Sequence, residues 1–260
     1  MHVRLDAALA LSDITGISSV AFADLLSDGG IDSLDPRFEY WSPNWSAPGG
    51  ASANFEDGGS LENTGVASLL AYGDIDAVVA FVNTSEALQI NDGKIVIAEQ
   101  VPALFGLRKY DSDGGYRPYT QAGVGNPDFA DNKVFSTEAG EFEALLEGLH
   151  AAAASGGAAA FRQRLTTVAN PKFAVPGGKA IDVLWVYLNE ASSWTQLLEG
   201  RARRKLPDEF PHYGTLSTEL SAAEVNYLAH FTSWSVGQLR TPLRAMFSMS
   251  EMSDPLGQQG

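Results

Sequence analysis

Asp57-Gly58-Gly59-Ser60-Leu61-Glu62-Asn63-Thr64-Gly65 leads through Val66–Tyr72 into Ile75-Asp76-Ala77-Val78-Val79-Ala80-Phe81-Val82. Two glycines behind an acid let the chain turn sharply and let another backbone or a substrate approach the carboxylate. A helix is expected over 62–72. The apolar run behind it, bounded by Asp74 and Asn83, fits a strand buried on both faces. Lys94-Ile95-Val96-Ile97-Ala98, introduced by the turn signal Asn91-Asp92-Gly93, predicts a second, shorter strand. Ala180-Ile181-Asp182-Val183-Leu184-Trp185-Val186-Tyr187-Leu188 predicts a third. Helices alternating with continuous apolar strands favour an α/β fold with a largely parallel sheet.

The remaining elements fit the same reading. Residues 5–27 look helical, with Leu5, Ala8, Leu9, Ile14, Ile17, Ala21 and Leu25 at three- and four-residue spacing. From Asp28 to Gly59 the chain reads as a long loop rich in Gly, Pro, Ser and Asp that holds Phe38, Tyr40, Trp41 and Trp45. Those aromatics suit an apolar groove or plain packing equally well. Glu138–Ala154 predicts a helix with Phe142, Leu145, Leu146 and Leu149 on one stripe and Gly156-Gly157 as its stop. Ala158–Val168 reads as a further helix, and Trp194–Gly200 as a short one. Ser221 with Glu224 three residues on is a capping box that announces a helix over 222–236. Residues 1–240 are expected to form one domain portion, and 241–260 a loose C-terminal tail.

Composition narrows the partners. A net charge of −15 with a pI near 4.5 sets the protein against polyanions, so nucleic acid is set aside as a partner. Anionic membranes are disfavoured by the same global field. A local cluster, Arg201, Arg203, Arg204 and Lys205, can still meet a phosphate; its plainer reading is a solvated helix end. There is no cysteine, which excludes disulfides, thiolate zinc sites and Cys nucleophiles. The opening Met1-His2-Val3-Arg4-Leu5-Asp6 lacks a secretory pattern, and no run reaches the roughly 18 apolar residues of a membrane span. The expected location is cytoplasmic or membrane-peripheral.

Motifs for chemistry are sparse. D-G-G occurs three times, at Asp28, Asp57 and Asp113, and only the copy at Asp57 comes directly before a helix leading into a buried strand. In α/β sheets ligands gather in loops at strand ends, where Asp57 is expected. His2, His150, His212 and His230 form no H-x-x-H or H-x-x-x-H pair. Asp111-Ser112-Asp113-Gly114 imitates the start of a calcium loop, but Ala122 stands where a bidentate Glu is required. No metal is expected. Phosphate-binding loops and the nucleophile elbow G-x-S-x-G do not occur in these residues.

In their order, several segments resemble the C-terminal half of patatin-like phospholipases, nearest the branch related to cytosolic phospholipase A2. They are Asp57-Gly58-Gly59 with Glu62-Asn63-Thr64-Gly65, Val82-Asn83, Val101-Pro102-Ala103-Leu104-Phe105-Gly106, Asn132-Lys133-Val134-Phe135, Val183–Leu188 and Phe210-Pro211-His212-Tyr213-Gly214-Thr215. The resemblance runs through most of residues 10–237. It implies a three-layer acyl-hydrolase fold with a largely parallel sheet, and a Ser–Asp dyad that cleaves phospholipid or lysophospholipid esters without a cofactor. By that resemblance Asp57 matches the dyad aspartate, acting as general base toward the serine and returning its proton to the leaving group. Gly58 and Gly59 form the backbone turn at the site, and Asn63 supports it through local backbone. The serine and the oxyanion loop then lie outside this chain, on a complementary N-terminal segment or a separate chain.

Two alternatives stand beside this reading. Asp57 in Asp-Gly-Gly can be a turn and helix cap alone, a device that stabilises by about 1 kcal/mol. The chain can also be a non-catalytic, diverged module that binds lipid or a partner, with peripheral membrane contact. A chain lacking the first strands of its sheet is also expected to expose apolar strand edges and to associate.

Overall fold

A computed structural model describes residues 37–40, 51–54, 59, 61–214, 217 and 219–246. The chain divides into two units between Asn63 and Thr64, and each is described by itself. In the first unit, β1 (Arg37–Tyr40) pairs antiparallel with β2 (Ala51–Asn54), Arg37 opposite Asn54 and Tyr40 opposite Ala51. The stretch expected to be all loop therefore contains a hairpin. Its first strand alternates Arg37, Phe38, Glu39, Tyr40, and aromatic residues favour extended backbone. The expected helix over 5–27 lies outside the described residues, as do Trp41 and Trp45.

The second unit is built on a three-stranded sheet in the order β3 (Ala77–Val82), β7 (Ala180–Tyr187), β6 (Ala160–Thr166). β3 and β7 run parallel, Ala77 opposite Asp182 and Val82 opposite Tyr187. β6 returns antiparallel to β7, Phe161 opposite Trp185 and Leu165 opposite Ile181. A separate hairpin joins β4 (Gln89–Asn91) to β5 (Lys94–Val96) across Asp92-Gly93. The architecture is mixed α/β, and the largely parallel sheet expected from the sequence is corrected to a mixed one. The correction turns on β6, expected as a helix over Ala158–Val168. Phe161 and Leu165 are four apart, a spacing shared by one face of a helix and one face of a strand. Intervening Arg162 and Arg164 then point to the opposite face of the strand.

Period-2 alternation gives the sheet two buried faces. On the first face, Val78, Ala80 and Val82 of β3 join Ile181, Val183, Trp185 and Tyr187 of β7 in the main core. Helices α1 (Val66–Leu70), α2 (Gln100–Ala103) and α3 (Glu141–Ala154) contribute to it, α2 through Val101 and α3 through the Phe142, Leu145, Leu146 and Leu149 stripe. Phe105, Phe135, Phe142 and Trp185 form one aromatic group with centroids 5.2–6.1 Å apart. Gly148 lets α3 approach β6: a Cβ there would stand 2.1 Å from the Phe161 ring. Gln163 bridges the two layers, its amide nitrogen donating to Glu141 O (3.1 Å) and its amide oxygen accepting from Trp185 Nε1 (3.0 Å).

The second face is thinner. Leu184 and Val186 of β7 pack with Ala77, Val79 and Ala160 beneath Leu239, Leu243 and Met246. The last two belong to α7 (Arg240–Met246). The tail expected to be loose from 241 thus begins as a helix anchored by Met246, which is 8% exposed. Residues beyond Met246 lie outside the described set.

A third cluster holds the arm between them. Trp194, Phe210 and Phe231 pack with Ala191, Trp194 stacking on Phe210 at 5.2 Å. It joins α4 (Ser192–Leu197) to α6 (Ala222–Gln238), and α5 (Gly200–Arg203) is tied to α6 by the Tyr227 hydroxyl donating to Ala202 O (3.2 Å). The Ser221–Glu224 capping box is present in both directions: Ser221 Oγ accepts from Glu224 N (3.3 Å), and Glu224 Oε2 accepts from Ser221 N (2.7 Å). That reciprocal bond holds Glu224 below the usual carboxylate range.

Candidate functional site

Asp57 and Gly58 lie outside the described residues. Gly59 is half-buried in a short helical turn, and Asn63 is exposed. Glu62, between them, is the one acidic side chain in the buried set of the described residues, at 8% exposure. The far end of the segment belongs to the second unit. There Thr64 Oγ1 accepts from Val66 N (3.2 Å), and Gly65 at φ +70° makes the left-handed step that opens α1. The glycine-turn-to-helix-to-strand reading of this stretch therefore holds from Thr64 onward, with α1 confined to Val66–Leu70 rather than 62–72.

The D-G-G copy at Asp113, which lies wholly among the described residues, is a plain turn. Gly115 N donates to Asp111 O (2.6 Å), Asp113 N donates to Asp111 Oδ1 (3.1 Å), and Asp111 Oδ2 stands 4.0 Å from Arg117 Nη2. The carboxylate that holds this loop is that of Asp111, two residues before the D-G-G acid. Among the described residues no group of three or more His, Asp or Glu side chains can hold a metal ion.

Parallel strands β3 and β7 end side by side, with Leu188 N donating to Val82 O (3.0 Å). Polar side chains gather there from distant parts of the chain, as the geometry of α/β sheets leads one to expect. Asn189 Oδ1 accepts from Leu88 N (3.0 Å), Thr84 Oγ1 accepts from Glu86 N (3.0 Å), and Gln100 Nε2 donates to Asn83 O (3.4 Å). Tyr187 is fixed between two backbone groups: its hydroxyl donates to Glu86 O (2.6 Å) and accepts from Ala98 N (2.8 Å). Burial pushes that phenol well above its ordinary pKa. It is a structural strut rather than a proton shuttle.

His212 and its neighbour Tyr213 each bring a buried polar atom without a hydrogen-bond partner among the described residues, and His212 is the one tied to these strand ends. Phe210, buried in the third cluster, anchors the segment, and the Phe210–Pro211 bond is cis. His212 Nδ1 lies 3.1 Å from the carbonyl of Thr84, so it carries the proton and donates. In the neutral ring Nε2 is then a lone-pair acceptor, buried and without a hydrogen-bond partner among the described residues. A buried acceptor without a partner costs about 1–3 kcal/mol. Beside it, burial first and the Glu224 carboxylate second raise the Tyr213 hydroxyl above its ordinary pKa. His212 was not singled out as a site residue from the sequence. Its partner Thr84 is 128 positions away, and a histidine bonded to main chain leaves no spacing signature.

No protein family, no curated protein and no solved structure matches this chain. The fold class stands on the geometry alone: a mixed α/β protein with polar side chains collected at the ends of its parallel pair.

Proposed function

We propose that this chain is the aspartate-bearing part of a lipid acyl hydrolase of the patatin-like class, acting on phospholipid or lysophospholipid esters through a Ser–Asp dyad. Asp57 is the general base. The serine and its oxyanion donors come from a segment outside these 260 residues, because no G-x-S-x-G occurs within them. The observation that carries the reading is the order of motifs from Asp57-Gly58-Gly59 through α1 into β3. The parallel β3–β7 pair of the second unit is compatible with it, since ligands of α/β folds gather at the ends of parallel strands. The finer three-layer patatin-like architecture belongs to the same proposal, supported by helices on both faces of the sheet.

In this mechanism Asp57 takes the serine proton as the hydroxyl oxygen attacks the ester carbonyl. It then gives that proton to the leaving alcohol, and the acyl-serine is hydrolysed by water activated in the same way. The test is hydrolysis of a short-chain soluble ester by the longest natural polypeptide that contains these residues. Asp57→Ala is expected to lower kcat by about a hundredfold or more with the thermal transition unchanged. A wild-type rate in that variant would remove Asp57 from the reaction.

A further inference from the structure

We infer that the corner between α4 and α5 is a docking surface for a membrane whose surface carries anionic phospholipid. This deepens the acyl-hydrolase reading and rests on it for the relevance of lipid; the surface chemistry stands on separate residues. Leu197, which ends α4, is 65% exposed, the most exposed large apolar side chain among the described residues. Four residues later begins the densest run of cations in the chain, Arg201, Arg203, Arg204 and Lys205, in a sequence holding only 17 Lys and Arg against 32 Asp and Glu.

Arg203 has a different task from its neighbours. Its Nε donates to Thr195 O (3.0 Å), and its Nη2 donates to Gln196 O (2.9 Å) and Leu198 O (3.4 Å). These carbonyls lie in and just after the last turn of α4, where helix carbonyls run short of backbone donors; Thr195 O also accepts from Leu198 N (3.3 Å). The guanidinium thereby staples α5 against the last turn of α4 and fixes Leu197 beside the cationic run. Tyr227 of α6 holds the far side, its hydroxyl donating to Ala202 O (3.2 Å). Arg201, Arg204 and Lys205 are exposed, and among the described residues none of them forms an ion pair.

Glu199, Asp208 and Glu209 flank the run, so residues 199–209 carry four cations and three anions, a net of +1. The attraction is therefore local to 201–205 and fades over a Debye length of about 8 Å at physiological salt. Beyond that distance the −15 charge of the whole chain opposes approach to any polyanion. A target that suits this corner offers negative charge in a thin layer with apolar material just beneath it, which is the section of a phospholipid surface. Leu197 enters the acyl boundary while the three free cations stay among the headgroup phosphates. A nucleic acid offers the charge without the apolar layer and spreads it over a much longer range.

The test is co-sedimentation of the full chain with vesicles of phosphatidylcholine alone and of phosphatidylcholine mixed with phosphatidylserine. The wild type is expected to bind the mixed vesicles, to release them as salt is raised, and to leave phosphatidylcholine in solution. The triple variant R201E/R204E/K205E should bind mixed vesicles about a hundredfold more weakly, three surface cations being lost. Leu197→Asn should bind several-fold more weakly at every salt concentration. These side chains are exposed, and an unchanged thermal transition verifies folding of each variant. No binding to mixed vesicles at low salt, equal binding to both vesicle types, or a triple variant that binds like the wild type would each overturn the inference. So would equal affinity for single-stranded DNA with Leu197→Asn without effect. Soluble-ester hydrolysis needs no surface, so intact hydrolysis with no vesicle binding removes only this inference. Vesicle binding with Asp57→Ala fully active removes only the catalytic one.

Discussion

The two faces of β7 come from one eight-residue strand, yet they are built to different depths. Ile181, Val183 and Trp185 are fully buried and Tyr187 is 2% exposed, beneath α1 and α3 and against a ring group of Phe105, Phe135 and Phe142. On the other side Leu184 and Val186 lie under the short α7, and the face then turns polar. There Asp182 Oδ2 pairs across the strands with Arg162 Nη2 (3.1 Å) and Arg164 Nη1 (3.6 Å). Phe81 on the same side is 54% exposed. A strand alternates regardless of what covers it; the covering elements decide how much stability each side chain carries.

The largest effect expected is therefore on the deep face. Trp185→Ala removes a side chain that touches Phe105 and Phe135 and the Gln163 bridge, and should destabilise by about 3–5 kcal/mol in urea unfolding. Met246→Ala, on the thin face, should cost about 2 kcal/mol, since α7 can settle into part of the vacated space. Equal losses in the two variants would break the contrast between the faces.

A pH series sharpens it. Tyr116 stands edge-on to Phe142 of the deep face at 4.9 Å, and its hydroxyl accepts from Ile97 N (3.0 Å). Burial raises its pKa from 10.0 to about 12. The folded state thus keeps the proton where the unfolded state loses it. Stability is fully present below pH 10 and falls as pH rises toward about 12. Tyr116→Phe should flatten that decline, read from urea midpoints across the window; an unchanged slope would place the phenol in water. The smallest effect belongs to the polar end of the thin face. Asp182→Asn removes two partly exposed ion pairs and should cost less than about 1 kcal/mol in the same unfolding measurement.

What the sequence disclosed follows the same division. β3 and β7 were legible as continuous apolar runs, and α6 as a capping box, because burial on both sides and a local hydrogen-bond pair leave marks within a few residues. β6 was read as a helix: Ala158-Ala159-Ala160 favours one, and Phe161 with Leu165 satisfies both periods. The partner that decides, β7, begins 14 residues after β6 ends, so pairing overrode local propensity. β1 and β2 were hidden in a Gly- and Pro-rich stretch for a similar reason. Of the proposed site, Asp57, Gly58, Gly59 and Asn63 were singled out by order of motifs. His212 was not, since its neighbourhood with Thr84 exists only after the chain has folded.

His212 and Asp57 also set the most direct test of the functional account. A buried imidazole at the strand ends, with Nε2 unpaired among the described residues, is a described group able to rival an aspartate as general base. The measurement is kcat/KM on a soluble short-chain ester for Asp57→Asn beside His212→Gln, in the longest natural polypeptide carrying these residues. The dyad account predicts a loss of about a hundredfold or more for Asp57→Asn and a change within a few-fold for His212→Gln. The reverse pattern, a full-rate Asp57→Asn with an inactive His212→Gln, would contradict it.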